Sequence, residues 1–330
     1  MSRTMRRATT LACAGALVLA ACAPDLPTVE VDSEETVASV VSREQDVAIH
    51  ASIAEVLAAG TETLDPAPLA ARVTGPALTL RTAELTVASA TGVKDAITEV
   101  PLTLQSELIP ATDVWPRWSF AVSERPQNLQ TERLLVTEQA GPREQYKLWG
   151  WLRLFPGVTL PAFPLAPNGT EQLASDDASL MLSPADAIAH YADVLSAGDA
   201  SAYAAEFPAD PLRDQMAARR ADRTVLATTG KGTYTLTFTP TEGAVRALRT
   251  DGGGALVIGQ ITSSETLAGE PGALINPTAT ESAFTAGAAP SNSLTVGRTA
   301  LVGIYVPAAG STETISVVGS ELLTTSASVP

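Results

Sequence analysis

All four tryptophans of this 330-residue chain lie between positions 115 and 151, in Val114-Trp115-Pro116-Arg117-Trp118 and Tyr146-Lys147-Leu148-Trp149-Gly150-Trp151. Such residues are suited to binding. An indole offers a wide apolar face and one N–H donor, and a nearby arginine adds a planar cation. If 145–155 is a strand, alternation puts Trp149, Trp151 and Arg153, with Lys147 and Phe155, on one face. Tyr146, Leu148, Leu152 and Leu154 then take the other face. Helices of the same domain cover only one face, so the tryptophan face needs a second cover. Contact with the other half of the chain is the expected cover. A ligand groove or a docking face for a partner protein are the alternatives.

Groups that carry acid–base or covalent chemistry are sparse. His50 and His190 each fall inside a helical repeat and read as structural. Asp113, Asp193 and Glu55 are the carboxylates that a buried general base would be drawn from. No paired carboxylates and no Ser/His/Asp grouping can be assigned, so no catalytic residue is expected. Two histidines and one thiol outside the leader do not make a zinc site, and no metal or cofactor is expected. Asp251-Gly252-Gly253-Gly254 lacks the lysine of a phosphate loop and reads as a hairpin turn.

The remaining chemistry is at Cys22. Arg3, Arg6 and Arg7 precede an apolar run over residues 8–21, too short for a span of about 20 residues. A basic start, an apolar run and a small-residue cleavage site make an export signal. Leu19-Ala20-Ala21-Cys22 closes the run and resembles the lipobox of bacterial lipoproteins. The resemblance implies cleavage before Cys22, acylation of its sulfur with chains such as palmitate, and attachment to the outer face of the plasma membrane. The other cysteine, Cys13, leaves with the leader.

Removing residues 1–21 takes three arginines and no acid, so the formal charge moves from −15 to −18. Such a chain repels nucleic acid and anionic headgroups, and no nucleic-acid partner is expected. Membrane attachment must therefore rest on the acyl chains.

Stepping along the chain, an acidic tether is expected at 22–41 after the signal peptide at 1–21. A first α+β domain follows at 42–164. It opens on Ser42-Arg43-Glu44-Gln45, a capping box, and Gly60 is the expected end of its first helix. Strands are expected at 99–108, 115–124, 133–139 and 145–155. Residues 165–182 read as a linker. Ser183-Pro184-Ala185-Asp186 starts a second α+β domain at 183–325, with a tail at 326–330.

The second half echoes the first. At an offset of 138 residues Glu55-Val56-Leu57-Ala58-Ala59-Gly60 falls on Asp193-Val194-Leu195-Ser196-Ala197-Gly198, and Arg81 falls on Arg219. The expectation is two tandem related domains, each with N-terminal helices packed on a curved antiparallel sheet.

Helix, glycine-capped turn, short helices and a meander resemble the cone-shaped layout of nuclear-transport-factor-2-like proteins and SnoaL-type cyclases. The two tryptophan segments, followed by Pro156-Gly157-Val158, resemble a family of uncharacterised actinobacterial lipoproteins. That resemblance implies location and no activity. The expected function is a membrane-anchored, non-enzymatic binding or scaffold module, partnered by the membrane and by an envelope protein or an apolar small molecule. The alternatives are a carrier of an apolar envelope ligand and a cone-fold enzyme of proton transfer or cyclisation.

Overall fold

A computed structural model describes residues 39–128, 130–164 and 168–330. The expected signal peptide, Cys22 and most of the expected acidic tether lie outside the described residues. No helix of the described residues is long and apolar enough to cross a membrane.

The first helix, α1 (Arg43–Thr63), starts where its capping box places it. The Ser42 hydroxyl accepts from the Gln45 N–H at 3.3 Å, and the Gln45 side chain accepts from the Ser42 N–H at 2.8 Å. The helix does not stop at Gly60. It runs one turn further and ends on Leu64, in the left-handed region at φ 54°. Gly60 serves packing instead, because a Cβ there would sit 3.0 Å from Leu69. A short 3-10 turn at Ala67–Ala71 leads to α2 (Gly75–Thr91), which ends at Gly92.

Five strands complete the first half: β1 (Leu104–Leu108), β2 (Pro110–Ala111), β3 (Arg117–Ser123), β4 (Arg133–Gln139) and β5 (Lys147–Leu154). Next comes β6 (Thr170–Leu173), within the stretch expected to be a linker. The second half then runs α3 (Pro184–Ala197), α4 (Pro211–Thr229), β7 (Thr233–Arg249), β8 (Ala255–Ala268), the single turn α5 (Ala279–Ser282), β9 (Ser293–Val306) and β10 (Ser316–Ser328). Ser183 caps α3 as expected, accepting from the Asp186 N–H at 3.1 Å. The expected tail is largely strand, since β10 reaches Ser328.

The fold is α+β, and all ten strands share one nearly closed, barrel-like sheet. Their order is β1-β3-β4-β5-β10-β9-β8-β7-β6-β2. The expectation of two domains with separate sheets is therefore corrected: the described residues form one compact unit. Each half does contribute helices and then an antiparallel meander, β1-β3-β4-β5 and β7-β8-β9-β10. The meanders join through their last strands, where Leu154 meets Gly319 and Arg153 meets Ser320. Gly319 is required at this seam, since a Cβ there would collide with the carbonyl oxygen of Arg153. The other side closes through β2, two residues after β1, which pairs parallel with β6. β6 in turn pairs with β7. The expected linker is thus a structural strand.

Two apolar clusters fill the unit. In one, Ile53, Leu69 and Leu80 from the first half's helical segments pack with Phe120, Leu134, Trp151, Ile258 and Leu301. In the other, Ile188, Tyr191 and Phe207 pack with Val257, Val302 and Ile304. The first cluster draws residues from both halves, which is why the halves do not separate.

Candidate functional site

Of the three residues expected to share one face, Trp151 and Arg153 keep unbroken register with Leu135 and Arg133, and the break falls at Trp149. Val136 stands opposite Gly150, but Thr137 stands opposite Leu148, so Trp149 is the extra residue of a bulge and the alternation breaks there. Trp151 is fully buried, opposite Leu135, with the Arg81 guanidinium of α2 at 5.4 Å from its ring. Its cationic neighbour thus belongs to its own half. Trp149 instead meets the second half, with the Arg246 guanidinium of β7 at 4.7 Å. Gly75, at the start of α2, has φ 53°, and a Cβ there would lie 2.8 Å from the Trp149 ring. Arg153 is exposed, flanked by Arg133 and Ser320. The leucine face, assigned to the helices, makes contact with the second half: Leu152 abuts Gly303 and Gly319, and Gly150 makes room for Leu301.

A groove of about 570 Å³ opens beside the other two tryptophans. Its walls are the loop before β3 with Trp115 and Pro116, the start of β3 with Trp118, the segment holding Gln172 and Ser175, and the first turns of α3 with Asp186 and Ile188. A wide bulge in β7 forms the remaining wall. Pro240 faces Ile261 and Val245 faces Gly259, so four residues, 241 to 244, stand against Gln260 alone. Gly243, at φ 71°, turns this excursion, and the bulge brings Glu242 to the groove.

Hydrogen bonds hold the tryptophan side rigid. The Trp115–Pro116 bond is cis. Trp118 donates its backbone N–H to the Gln172 side chain at 3.2 Å, and the Gln172 amide donates to the Pro116 carbonyl at 2.9 Å. The Trp118 indole donates to the Ala247 carbonyl at 3.2 Å. Arg246 lies between two indoles, 5.1 Å from Trp118 and 4.7 Å from Trp149. Its Nε donates to Glu138 at 2.5 Å, and its Nη1 donates to the carbonyls of Gly243 and Val245, each at 2.8 Å. Trp115 is 38 % exposed, donates to Gln139 at 3.2 Å, and carries the Arg117 guanidinium 3.7 Å from its ring. Asp186 and Glu242 supply negative charge to the groove and are both exposed. A cavity of this size, with apolar walls and few polar groups, suits a small ligand or a side chain of a partner.

Charged groups elsewhere serve the fold. Buried Arg81 pairs with Glu84 at 3.3 Å and donates to the Thr98 carbonyl at 2.9 Å. Burial lowers the Arg81 pKa and raises that of Glu84. Glu321 of β10, near Arg133, Arg153, Glu84 and Arg81, is pushed up to about 7 by burial. Burial also works against charge on Glu265, but bonds from Arg219 and the charges of Arg298 and Arg219 hold its pKa below the ordinary value.

Both histidines have structural partners. His50 is buried, with Nδ1 2.9 Å from the Asp46 carbonyl, and His190 lies 2.7 Å from Glu206 and stacks on Tyr203. Glu55, Asp113 and Asp193 are exposed, and Asp193 accepts from Ser201 at 2.5 Å. Among the described residues, no group of three or more His, Cys, Asp and Glu side chains is placed to hold a metal ion.

No curated protein and no solved structure matches the chain. Residues 21–329 match a family described only as a domain of unknown function, DUF8094, and the chain belongs to that family.

Proposed function

We propose that this protein is a cell-envelope lipoprotein, anchored through Cys22 to the outer face of the plasma membrane, and that it works as a non-enzymatic binding module. The groove at Trp115 and Trp118 carries the binding reading, because it pairs exposed indole surface with a rigid, hydrogen-bonded wall. Leu19-Ala20-Ala21-Cys22 supports the anchor. A carrier of an apolar envelope ligand is the second reading, favoured by Pro116, Ile188 and Val245 along the same walls. We also place the chain among actinobacterial lipoproteins with a cone-type layout, and read its halves as products of one duplication. α2 ends at Thr91 before Gly92 and α4 at Thr229 before Gly230, a spacing of 138 residues in each case, which supports the duplication.

Two variants test the reading together. Cys22→Ser should abolish incorporation of an alkynyl palmitate and leave precursor or shed protein. Trp115→Ala should keep the melting temperature and lose an envelope ligand that co-purifies with, or is captured by, the wild type. An unmodified N-terminus on membrane-fraction protein defeats the anchor. Unchanged ligand capture by Trp115→Ala defeats the binding site.

A further inference from the structure

Away from the groove, the end of the molecule where α4 turns into β7 is unusually apolar. Three of the four most exposed large apolar side chains among the described residues are there: Leu274 at 70 %, Val225 at 65 % and Leu226 at 54 %. Val225 and Leu226 lie in the last turns of α4, and Leu274 lies in the loop after β8. Backbone hydrogen bonds join the two segments. Gly230 donates to the Leu226 carbonyl at 3.0 Å and accepts from the Glu270 N–H at 3.3 Å, and Ala273 donates to the Glu270 carbonyl at 3.0 Å.

The polar groups of this tip already have partners. The carbonyls of Leu226, Ala227 and Thr228 accept from the N–H groups of Gly230, Gly232 and Lys231 at 3.0, 2.8 and 3.1 Å. The Thr228 and Thr229 hydroxyls donate one turn back along α4, to the carbonyls of Thr224 and Val225. Lys231 pairs with Glu270 at 3.5 Å, so their charges cancel. Groups bonded in this way lose little on leaving water, while the aliphatic side chains gain. Asp222, exposed one turn back on α4, marks where unpaired surface charge resumes.

The composition fits lipid better than protein. Hot spots between proteins are rich in Trp, Tyr and Arg and poor in Leu and Val. Here the three exposed side chains are aliphatic, and Arg223, the nearest arginine along α4, pairs with Glu265 at 3.9 Å. The groove of about 430 Å³ between α3 and α4 takes in Thr224 but neither Val225 nor Leu226. Anionic headgroups repel a chain at −15, which leaves apolar insertion as the way in. With Cys22 anchored, the sixteen residues between it and Ser39 extend to about 58 Å, which keeps the tip within reach of the bilayer.

We infer that Val225, Leu226 and Leu274 dip into the surface of the lipid bilayer, a second and apolar membrane contact that gives the protein a fixed orientation. The reach of the tether rests on the anchor reading above; the contact itself does not.

The test uses the mature protein reconstituted in phosphatidylcholine vesicles, with Leu274→Cys, Leu226→Cys or Val93→Cys labelled by the fluorophore NBD. Val93 is an exposed aliphatic residue away from the tip, at 51 %. With Cys22 acylated, the added cysteine is the one free thiol. Label taken up by the wild type defeats the anchor reading, and the same three positions are then read in a Cys22→Ser background mixed with the vesicles. Lipid carrying a nitroxide just below its headgroup should quench the labels at 274 and 226 strongly and leave that at 93 unquenched. Leu226→Ser with Leu274→Ser should keep the melting temperature, since both side chains are exposed, and should bring quenching of a label at Val225→Cys down to the level at 93. Quenching at 274 and 226 no greater than at 93 overturns the inference. So does a blue shift of these labels that needs no lipid and grows with protein concentration, which would assign the tip to a second copy of the chain.

Discussion

Arg246 and Glu138 meet at 2.5 Å, although they lie 108 residues apart and belong to different halves of the chain. The same guanidinium lies between Trp118 and Trp149, at 5.1 and 4.7 Å. One side chain thus links β7 to β3, β4 and β5, and its outer edge forms part of the groove wall. The ion pair is mostly buried, with side-chain exposures of 12 % and 13 %.

Removing one partner of such a pair should cost much more than removing both. Arg246→Met is expected to destabilise by about 3 kcal/mol, because Glu138 is left without its counter-charge. In a double-mutant cycle with Glu138→Gln, the coupling should be about 1–3 kcal/mol. Urea unfolding of the four proteins measures it. Additive effects would show that the contact contributes only packing.

Trp151 is fully buried against the first half's helices and β4. Trp151→Ala should lower stability by about 3–5 kcal/mol, the usual cost of truncating a buried aromatic. Trp115→Ala, at an exposed indole, should cost less than about 1 kcal/mol. Equal losses in chemical denaturation would contradict the assignment of one to the core and the other to the groove.

Gly319 sits where the two meanders join, with no room for a Cβ beside the Arg153 carbonyl. Gly319→Ala should open the β5–β10 seam and cost about 1–3 kcal/mol or more. Hydrogen exchange should then speed up at the Phe155 amide, which donates across the seam to the Val318 carbonyl at 2.9 Å. Wild-type exchange at that amide would mean that the seam accommodates the methyl group.

Glu321 gives a pH dependence whose sign follows from its environment. Burial raises its folded-state pKa from 4.5 to about 7, with Glu84 adding to the shift and Arg133, Arg153 and Arg81 opposing it. The folded state therefore holds a proton that the unfolded state releases above about pH 4.5. Stability from this group is complete below that pH and is lost as pH rises toward 7, by up to about 3 kcal/mol. Glu321→Gln should flatten the decline between pH 5 and pH 8 in urea unfolding. A decline as steep as that of wild type would assign it to other groups.

Much of the fold is legible residue by residue because the physics there is local. Ser42 with Gln45, and Ser183 with Asp186, set helix starts through hydrogen bonds that span three residues. The strand at 133–139 and the turn at Asp251–Gly254 follow from a short β-rich run bounded by turn residues and from glycine. The same reading singled out the tryptophan segments that line the groove and touch Arg246.

Long-range pairing was settled only in three dimensions. Nothing within a few residues of Gly319 states that Arg153 will be its neighbour, or that Thr170–Leu173 will close the sheet instead of linking two domains. The bulges at Trp149 and at residues 241–244 depend on register with partner strands, and a shift of one residue reverses which face a side chain takes. That is why Trp149 departs from the alternation that Trp151 and Arg153, equally spaced in sequence, still follow. It is also why Asp186, Glu242 and Arg246, far from the tryptophans along the chain, complete the groove beside them.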